Sequence, residues 1–269
     1  MKFKSIKLYI NSEFELLKFN RAHSILLNYL TNFIDNVLVQ TILNNELEIY
    51  IVDKLDENIA GSSIYEDDKY IIKLLMKPFE DLLISNLIKC KEDKKFEEKI
   101  ELYRKNLIYH ELLHIDISKR EDGIELRNCK LTDAKNYKEL LQLIIDSMLH
   151  EYIATYESYL VFPSIYHVPN VNDYLLSLKD MNSYLRLKYL SYIFGYEHSK
   201  YNNINMFSDI YNPFLDIRAA LSKQEILIYE IIGKMLLGYA NSKSINVVRS
   251  KITPQVSDYL KNYGKIIMN

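Results

Sequence analysis

The chain has 269 residues, of which 48% are hydrophobic and 26% are charged, and this composition excludes disorder throughout. The net charge of -2 argues against nucleic acid or an anionic membrane as a partner. The six glycines and two cysteines disfavour a loop-rich all-β fold and a disulfide framework. Because no apolar segment follows the basic start, we expect no signal peptide and a cytoplasmic protein.

A long helix and a small sheet are predicted before Pro78. Residues 2–10 alternate weakly, which favours a strand, and a capping box at 12–15 predicts a helix that continues to about residue 43. Period-two alternation predicts three further strands, at residues 46–53, 59–65 and 69–76. The last two flank an acidic turn and are expected to form a hairpin.

Helical spacing dominates after this point. An unbroken apolar stripe over residues 96–117 predicts a helix that ends near Gly123. The next helix is expected at about 135–162, before Pro163.

Residues 165–269 are predicted to be entirely helical. A capping box at 222–225 opens one helix, and Thr253-Pro254 is expected to be the N-cap and first residue of another. The sequence therefore predicts an α+β fold that is mostly helical, with a domain at residues 1–164 and a helical region at 165–269 packed on it.

The helix predicted at 96–117 contains the motif H-E-x-x-H. Residues four apart share one face of a helix, so the imidazoles of His110 and His114 can bind one metal ion. Glu111 can reach a water on that ion and take its proton, because the metal withdraws charge from the water. The motif should arise by chance roughly once in a hundred such sequences. Both histidines also fall on the apolar stripe, where a buried ring needs a partner.

A hydrolytic zinc site needs a third protein ligand and an open position. Ile117 and Arg120 exclude the metzincin continuation, which has Gly and His at these positions. Two candidates, His150 and Glu151, lie in the next predicted helix. Glu151 shares its helix face with the small residues Ser147, Ala154 and Ser158. Small residues permit the close helix approach that a short metal–carboxylate bond requires, so we favour Glu151 and keep His150 as the alternative.

At this point a resemblance to a known family is visible. H-E-x-x-H on one helix, followed by Glu151-Tyr152-Ile153-Ala154 on the next, resembles the gluzincin-type minimal zinc metallopeptidases. It is most similar to the ImmA/IrrE-like family, whose later helix carries E-x-x-A. The order of long helix, three short strands, HExxH helix and glutamate helix agrees over about residues 12–162.

This resemblance implies a zincin-like fold that binds Zn²⁺. It implies His110, His114 and Glu151 as the metal ligands and Glu111 as the general base. It also implies that the strand at 69–76 edges the cleft and pairs with an extended peptide.

We therefore expect a zinc-dependent endopeptidase that acts on a protein or peptide substrate through metal-activated water. The alternative is a non-catalytic regulatory or binding protein, related to phage, toxin–antitoxin or repressor systems, that keeps a structural metal site. Neither nucleic acid nor a membrane is an expected partner, and the sequence does not determine the oligomeric state. The residue that stabilises the oxyanion is left open among Tyr152, Tyr156, His150 and His167.

Overall fold

The computed structural model describes seven segments of the chain, residues 3–37, 45–55, 60–88, 94–126, 131–164, 182–201 and 223–263. Within these segments the protein is α+β and mostly helical, with one four-stranded sheet, which confirms the coarse fold prediction. The cysteines Cys90 and Cys129, the candidate His167 and the first residue of the second capping box, Ser222, lie outside the described residues. No described helix combines the length and apolar character needed to cross a bilayer.

The described segments contain four strands and seven α-helices. The strands are β1 (Ser5–Asn11), β2 (Glu46–Val52), β3 (Gly61–Glu66) and β4 (Lys69–Leu75). The helices are α1 (Ala22–Val37), α2 (Lys77–Leu87), α3 (Lys94–Lys119), α4 (Tyr137–Val161), α5 (Ser183–Tyr201), α6 (Lys223–Ser242) and α7 (Ile245–Tyr263). The helices α3 and α4 correspond to those predicted at 96–117 and 135–162.

The sheet is mixed, and its strands have the order β1-β2-β4-β3. The strand β1 pairs in parallel with β2, and β2 pairs in parallel with β4. The strands β3 and β4 form the predicted antiparallel hairpin. Asp67 and Asp68 in its turn both have positive φ, as a two-residue type I′ turn requires.

One expectation about this sheet is wrong. The strand predicted at 69–76 is β4, and it is not an edge, because β2 and β3 pair with its two sides. Among the described strands, β1 and β3 are the edges. The alternation of a strand predicts which side chains share a face but not which neighbours the strand will have, so the sequence could not distinguish β3 from β4 as the edge.

The chain divides into two compact units. The first comprises Met1–Ser118, Glu125–Asn128 and Val161–His167, and the second comprises Lys119–Ile124, Cys129–Leu160 and Val168–Asn269. The helix α4 belongs to the second unit together with α5, α6 and α7. The expected domain boundary after residue 164 stays a prediction.

One face of the sheet forms the core of the first unit. The strands contribute the buried residues Leu8, Leu47, Ile49, Ile51, Tyr70, Ile72 and Leu74. The helices α1, α2 and α3 contribute Leu26, Leu30, Ile34, Phe79, Leu83, Leu107, Ile108, Leu112 and Ile115. Gly61 and Ser63 of β3 are directly opposite Leu74 and Ile72, so they lie on this core face.

The second unit is built from helices, and α4 is buried on several sides. Its fully buried residues include Ile144, Ile145, Met148, Leu149, Tyr152 and Ile153. At Gly195 of α5, a Cβ atom would lie 2.7 Å from the backbone oxygen of Tyr152, so a glycine is needed for this close approach to α4. Arg120 donates to both carboxylate oxygens of Glu157 on α4, and the hydroxyl of Tyr239 on α6 donates to the same carboxylate.

The capping box at 12–15 does not start α1, so that predicted helix start is wrong. The Ser12 hydroxyl accepts the N–H of Phe14, only two residues on, and a short 3-10 turn over Glu15–Lys18 follows. Phe19 is extended and ends this turn, and α1 begins at Ala22. The predicted end of this helix near residue 43 lies outside the described residues.

The last helix also begins earlier than predicted. The carboxylate of Asp122 accepts the N–H of Ile245 at 2.6 Å and the hydroxyl of Ser244 at 3.0 Å, which satisfies donors at the start of α7. Pro254 is exposed inside α7 rather than at its first turn. The predicted start at Thr253-Pro254 is therefore wrong, because a side chain distant in sequence supplies the cap.

Candidate metal centre

The H-E-x-x-H segment lies in the second half of α3. On the same helix, Ile108, Leu112 and Ile115 are buried in the core of the first unit. This packing fixes the rotation of α3 about its axis and therefore the direction of the motif residues. Glu111 is only 3% exposed and His110 is 9% exposed, whereas His114 is half-buried.

The rings of His110 and His114 face each other across one helical turn. Their Nε2 atoms lie 3.2 Å apart, and their ring planes are nearly perpendicular, at 86°. In a tetrahedral zinc site with bonds of about 2.0–2.1 Å, two ligand atoms are separated by about 3.3 Å. The pair therefore has the separation of two ligands on one ion. An N–H···N hydrogen bond can have a similar length, so the metal assignment depends on the third residue.

The third residue of the candidate group is Glu151. His110, His114 and Glu151 form a group that could hold a metal ion, because each offers one ligand atom and these atoms all lie within 4.8 Å of one another. Two imidazoles and a carboxylate are a ligand set of catalytic zinc sites, which keep a fourth position open. The alternative candidate, His150, is not in this group. Its Nε2 instead lies 2.9 Å from the backbone oxygen of Ile124.

The carboxylate of Glu111 is directed at β3. The Ser63 hydroxyl donates to its Oε2 at 2.6 Å, and the same Oγ lies 3.2 Å from the backbone oxygen of Glu111. A buried carboxylate is costly unless donors satisfy it, and an O–H···O⁻ bond of this length is a strong, charge-assisted one. The residue expected to act as general base is therefore buried and hydrogen-bonded to a strand of the sheet.

Gly61 allows this placement of Glu111. A Cβ atom at Gly61 would lie 2.6 Å from Oε1 and 2.9 Å from Cγ of Glu111, which is closer than van der Waals contact permits. Any other residue at position 61 would compete with the glutamate for the same space. The first and third residues of β3 thus border the two oxygens of one carboxylate.

Glu151 has a basic neighbour on α5. The Lys188 Nζ lies 3.8 Å from Glu151 Oε2, and the Lys188 side chain is 36% exposed. A long ion pair with one partner in solvent contributes little free energy. Lys188 would therefore be a weak competitor for the carboxylate when a metal ion binds to it.

The oxyanion candidates differ in their surroundings. The hydroxyl of Tyr152 lies 2.9 Å from Nδ1 of His198, and burial raises the pKa of Tyr152 well above its usual range. The Lys243 Nζ lies 4.8 Å from the centre of the Tyr156 ring. Tyr152 and His150 are therefore both engaged inside the second unit, and Tyr156 is buried as well, so the structure does not single out one of these candidates.

No known protein family, curated protein or solved structure matches this chain. The similarity to the ImmA/IrrE-like family rests on its motifs and on the order of its elements, and it stays a prediction. The zincin-like fold stays a prediction for the same reason.

Gly61 and Ser63 are the site residues that sequence reasoning missed. One signal was present, because a glycine within a strand often marks a close approach of another group. The sequence could not identify Glu111 as the group that approaches, because Ser63 and Glu111 are 48 positions apart. Their contact depends on the register of β3 against β4 and on how α3 packs against the sheet.

Proposed function

We propose that the protein is a zinc-dependent endopeptidase. The observation that carries this proposal is the grouping of His110, His114 and Glu151 within 4.8 Å, with the buried carboxylate of Glu111 next to the first histidine in sequence. Two imidazoles, a third ligand and an adjacent carboxylate are the parts that metal-assisted peptide hydrolysis requires.

The chemistry divides among four residues. His110, His114 and Glu151 would hold the ion. Zinc, when bound, supplies a Lewis acid that polarises the peptide carbonyl and lowers the pKa of a water molecule. Glu111 accepts the proton of the attacking water as the new C–O bond forms. Glu111 then delivers that proton to the amine nitrogen as the C–N bond breaks.

The edge strand β3 supports a peptide as the substrate. Among the described strands it pairs only with β4, so its other side presents backbone N–H and C=O groups to which an extended chain could add. Gly61 and Ser63, which contact Glu111, belong to this strand. A peptide paired with β3 would therefore lie on the strand that also holds the general base.

The test uses the full chain loaded with zinc and a quenched-fluorescent peptide library. We expect hydrolysis by the wild-type protein and a loss on the order of a hundredfold or more in Glu111→Gln, because a neutral amide cannot accept the proton. Glu98→Gln is the control, since Glu98 is exposed on the same helix and should leave the rate unchanged. Zinc content should be the same in all three proteins.

A second outcome would favour the alternative function. This outcome is that the zinc-loaded wild-type protein hydrolyses no peptide of the library and that Glu111→Gln keeps the biological effect of the wild type. The metal site would then be a structural one in a regulatory or binding protein. Equal hydrolysis by wild type and Glu111→Gln would also contradict the proposed role of Glu111.

A further inference from the structure

We propose that Ser63 is a positioning residue that holds the Glu111 carboxylate in the place from which it acts. This inference rests on the proposed function, because it assigns Ser63 a task in the reaction of Glu111. It follows from a contact between β3 and α3 in the first unit, and no sequence motif includes it.

The contact is short and specific. The Ser63 hydroxyl has one proton, and its Oγ lies nearer to Oε2 of Glu111, at 2.6 Å, than to the backbone oxygen of the same residue, at 3.2 Å. The carboxylate therefore receives the proton, as the stronger acceptor at the shorter distance. The backbone oxygen at 3.2 Å shows that the Ser63 side chain lies close to α3, but it receives no proton once the carboxylate has accepted it.

The donor is held by a rigid frame. Ser63 is directly opposite Ile72 of β4, and β4 is hydrogen-bonded on its other side to β2. The position of the Ser63 Cβ is therefore set by the sheet and not by a loop. Gly61 is two residues earlier on the same face, where it borders the other carboxylate oxygen. Two alternate residues of one strand thus confine both oxygens of Glu111.

Confinement matters because a glutamate side chain has several rotatable bonds. A free glutamate occupies several rotamers, and only those that bring an oxygen to the water can accept its proton. The Ser63 hydrogen bond selects one rotamer before the substrate arrives. Loss of this bond should therefore lower kcat, while zinc binding is retained, because Ser63 is not one of the residues that could hold the ion. The backbone of β3, with which a peptide would pair, is also unchanged by loss of the hydroxyl.

The experiment compares three variants in the zinc-loaded full chain. Ser63→Ala removes the hydroxyl, Ser63→Thr restores one, and Ser62→Ala is the control, because Ser62 precedes Ser63 in β3 and lies on the opposite face. The readouts are zinc content, kcat and KM on one peptide from the library, and the Glu111 conformation in crystals of each protein.

We expect Ser63→Ala to keep one zinc ion per chain and its KM to within about twofold, while kcat falls by about tenfold or more. In its crystals the Glu111 carboxylate should be displaced or occupy more than one position. Ser63→Thr should recover most of the rate, and Ser62→Ala should behave as wild type.

Two results would overturn the proposal. One is an undisplaced Glu111 carboxylate in Ser63→Ala, and the other is a Ser63→Thr rate as low as that of Ser63→Ala, which would assign the effect to packing. The Glu111 conformation in the crystals tests this inference independently of the proposed peptidase activity. If the wild-type protein hydrolyses nothing, the enzymatic proposal fails, and a displaced or undisplaced carboxylate still decides whether Ser63 positions Glu111.

Discussion

At the scale of single residues, two neighbours on α4 have different partners. Glu151 belongs to the group that could hold a metal ion, whereas His150 is bonded to the backbone oxygen of Ile124. We expect Glu151→Gln to lower zinc affinity on the order of a hundredfold, because a neutral amide replaces a charged ligand. His150→Gln should keep the affinity, since its amide can still donate to that carbonyl. Competition with a chromophoric chelator measures both, and equal losses would contradict the assignment.

His198 should give the stability of the protein a pH dependence. Burial lowers the pKa of His198 to about 3, so the folded protein leaves the ring neutral at pH 5. An unfolded chain, whose histidine titrates near 6.5, binds a proton there. Acid therefore favours the unfolded state, and the cost is absent at pH 7.5 but grows as the pH falls from about 6.5 toward 3.

We expect protonation of His198 in the unfolded chain to lower the free energy of unfolding by about 2 kcal/mol when the pH falls from 7.5 to 5. Urea unfolding of the wild type and of His198→Gln at both pH values measures it. The variant should lose less stability over this range, because glutamine takes up no proton. A loss as large as in the wild type would show that His198 does not carry the effect.

At the scale of elements, the packing of β3 against α3 leaves no room for a side chain at position 61 unless the Glu111 side chain moves. In Gly61→Ala the added Cβ would lie 2.6 Å from Oε1 of Glu111, so the carboxylate must move. We expect the peptidase rate to fall by about tenfold to a hundredfold, as misplaced catalytic groups typically cause. The free energy of unfolding should fall by only about 1 kcal/mol, because the glutamate terminus can shift.

Gly238→Ala is the matched control for this change. It lies in α6, and apart from the neighbouring backbone of that helix no heavy atom of the described residues is within 4 Å of the Cβ position there. It should leave the rate unchanged and raise the free energy of unfolding by about 0.5–1 kcal/mol through helix propensity. A wild-type rate in Gly61→Ala would show that β3 does not constrain the general base.

Elements were predictable where local chemistry decides them. The acidic turn indicated the β3–β4 hairpin, and the apolar stripe indicated α3 with both histidines on one face. Helix starts were less predictable. Ser12 caps a turn instead of α1, and Asp122 supplies the cap of α7 from more than a hundred positions away. Sequence patterns give no access to partners that the tertiary structure supplies.

At the scale of the whole molecule, the same limit separates the predicted and the missed site residues. His110 and His114 follow from a spacing within one helix, and Glu151 follows from the small residues on its helix face. Ser63 and Gly61 depend on a strand order that places β3 outside β4, although β3 precedes it in the chain. The residues of the candidate metal group were therefore predictable, whereas those that contact the Glu111 carboxylate were not.

The most direct test of the central claim is anomalous diffraction at the zinc edge from crystals of the full chain grown with Zn²⁺. We predict one peak at about 2.0–2.2 Å from one ring nitrogen each of His110 and His114 and from a carboxylate oxygen of Glu151. No peak at this position, or an ion bound there without Glu151, would contradict the account.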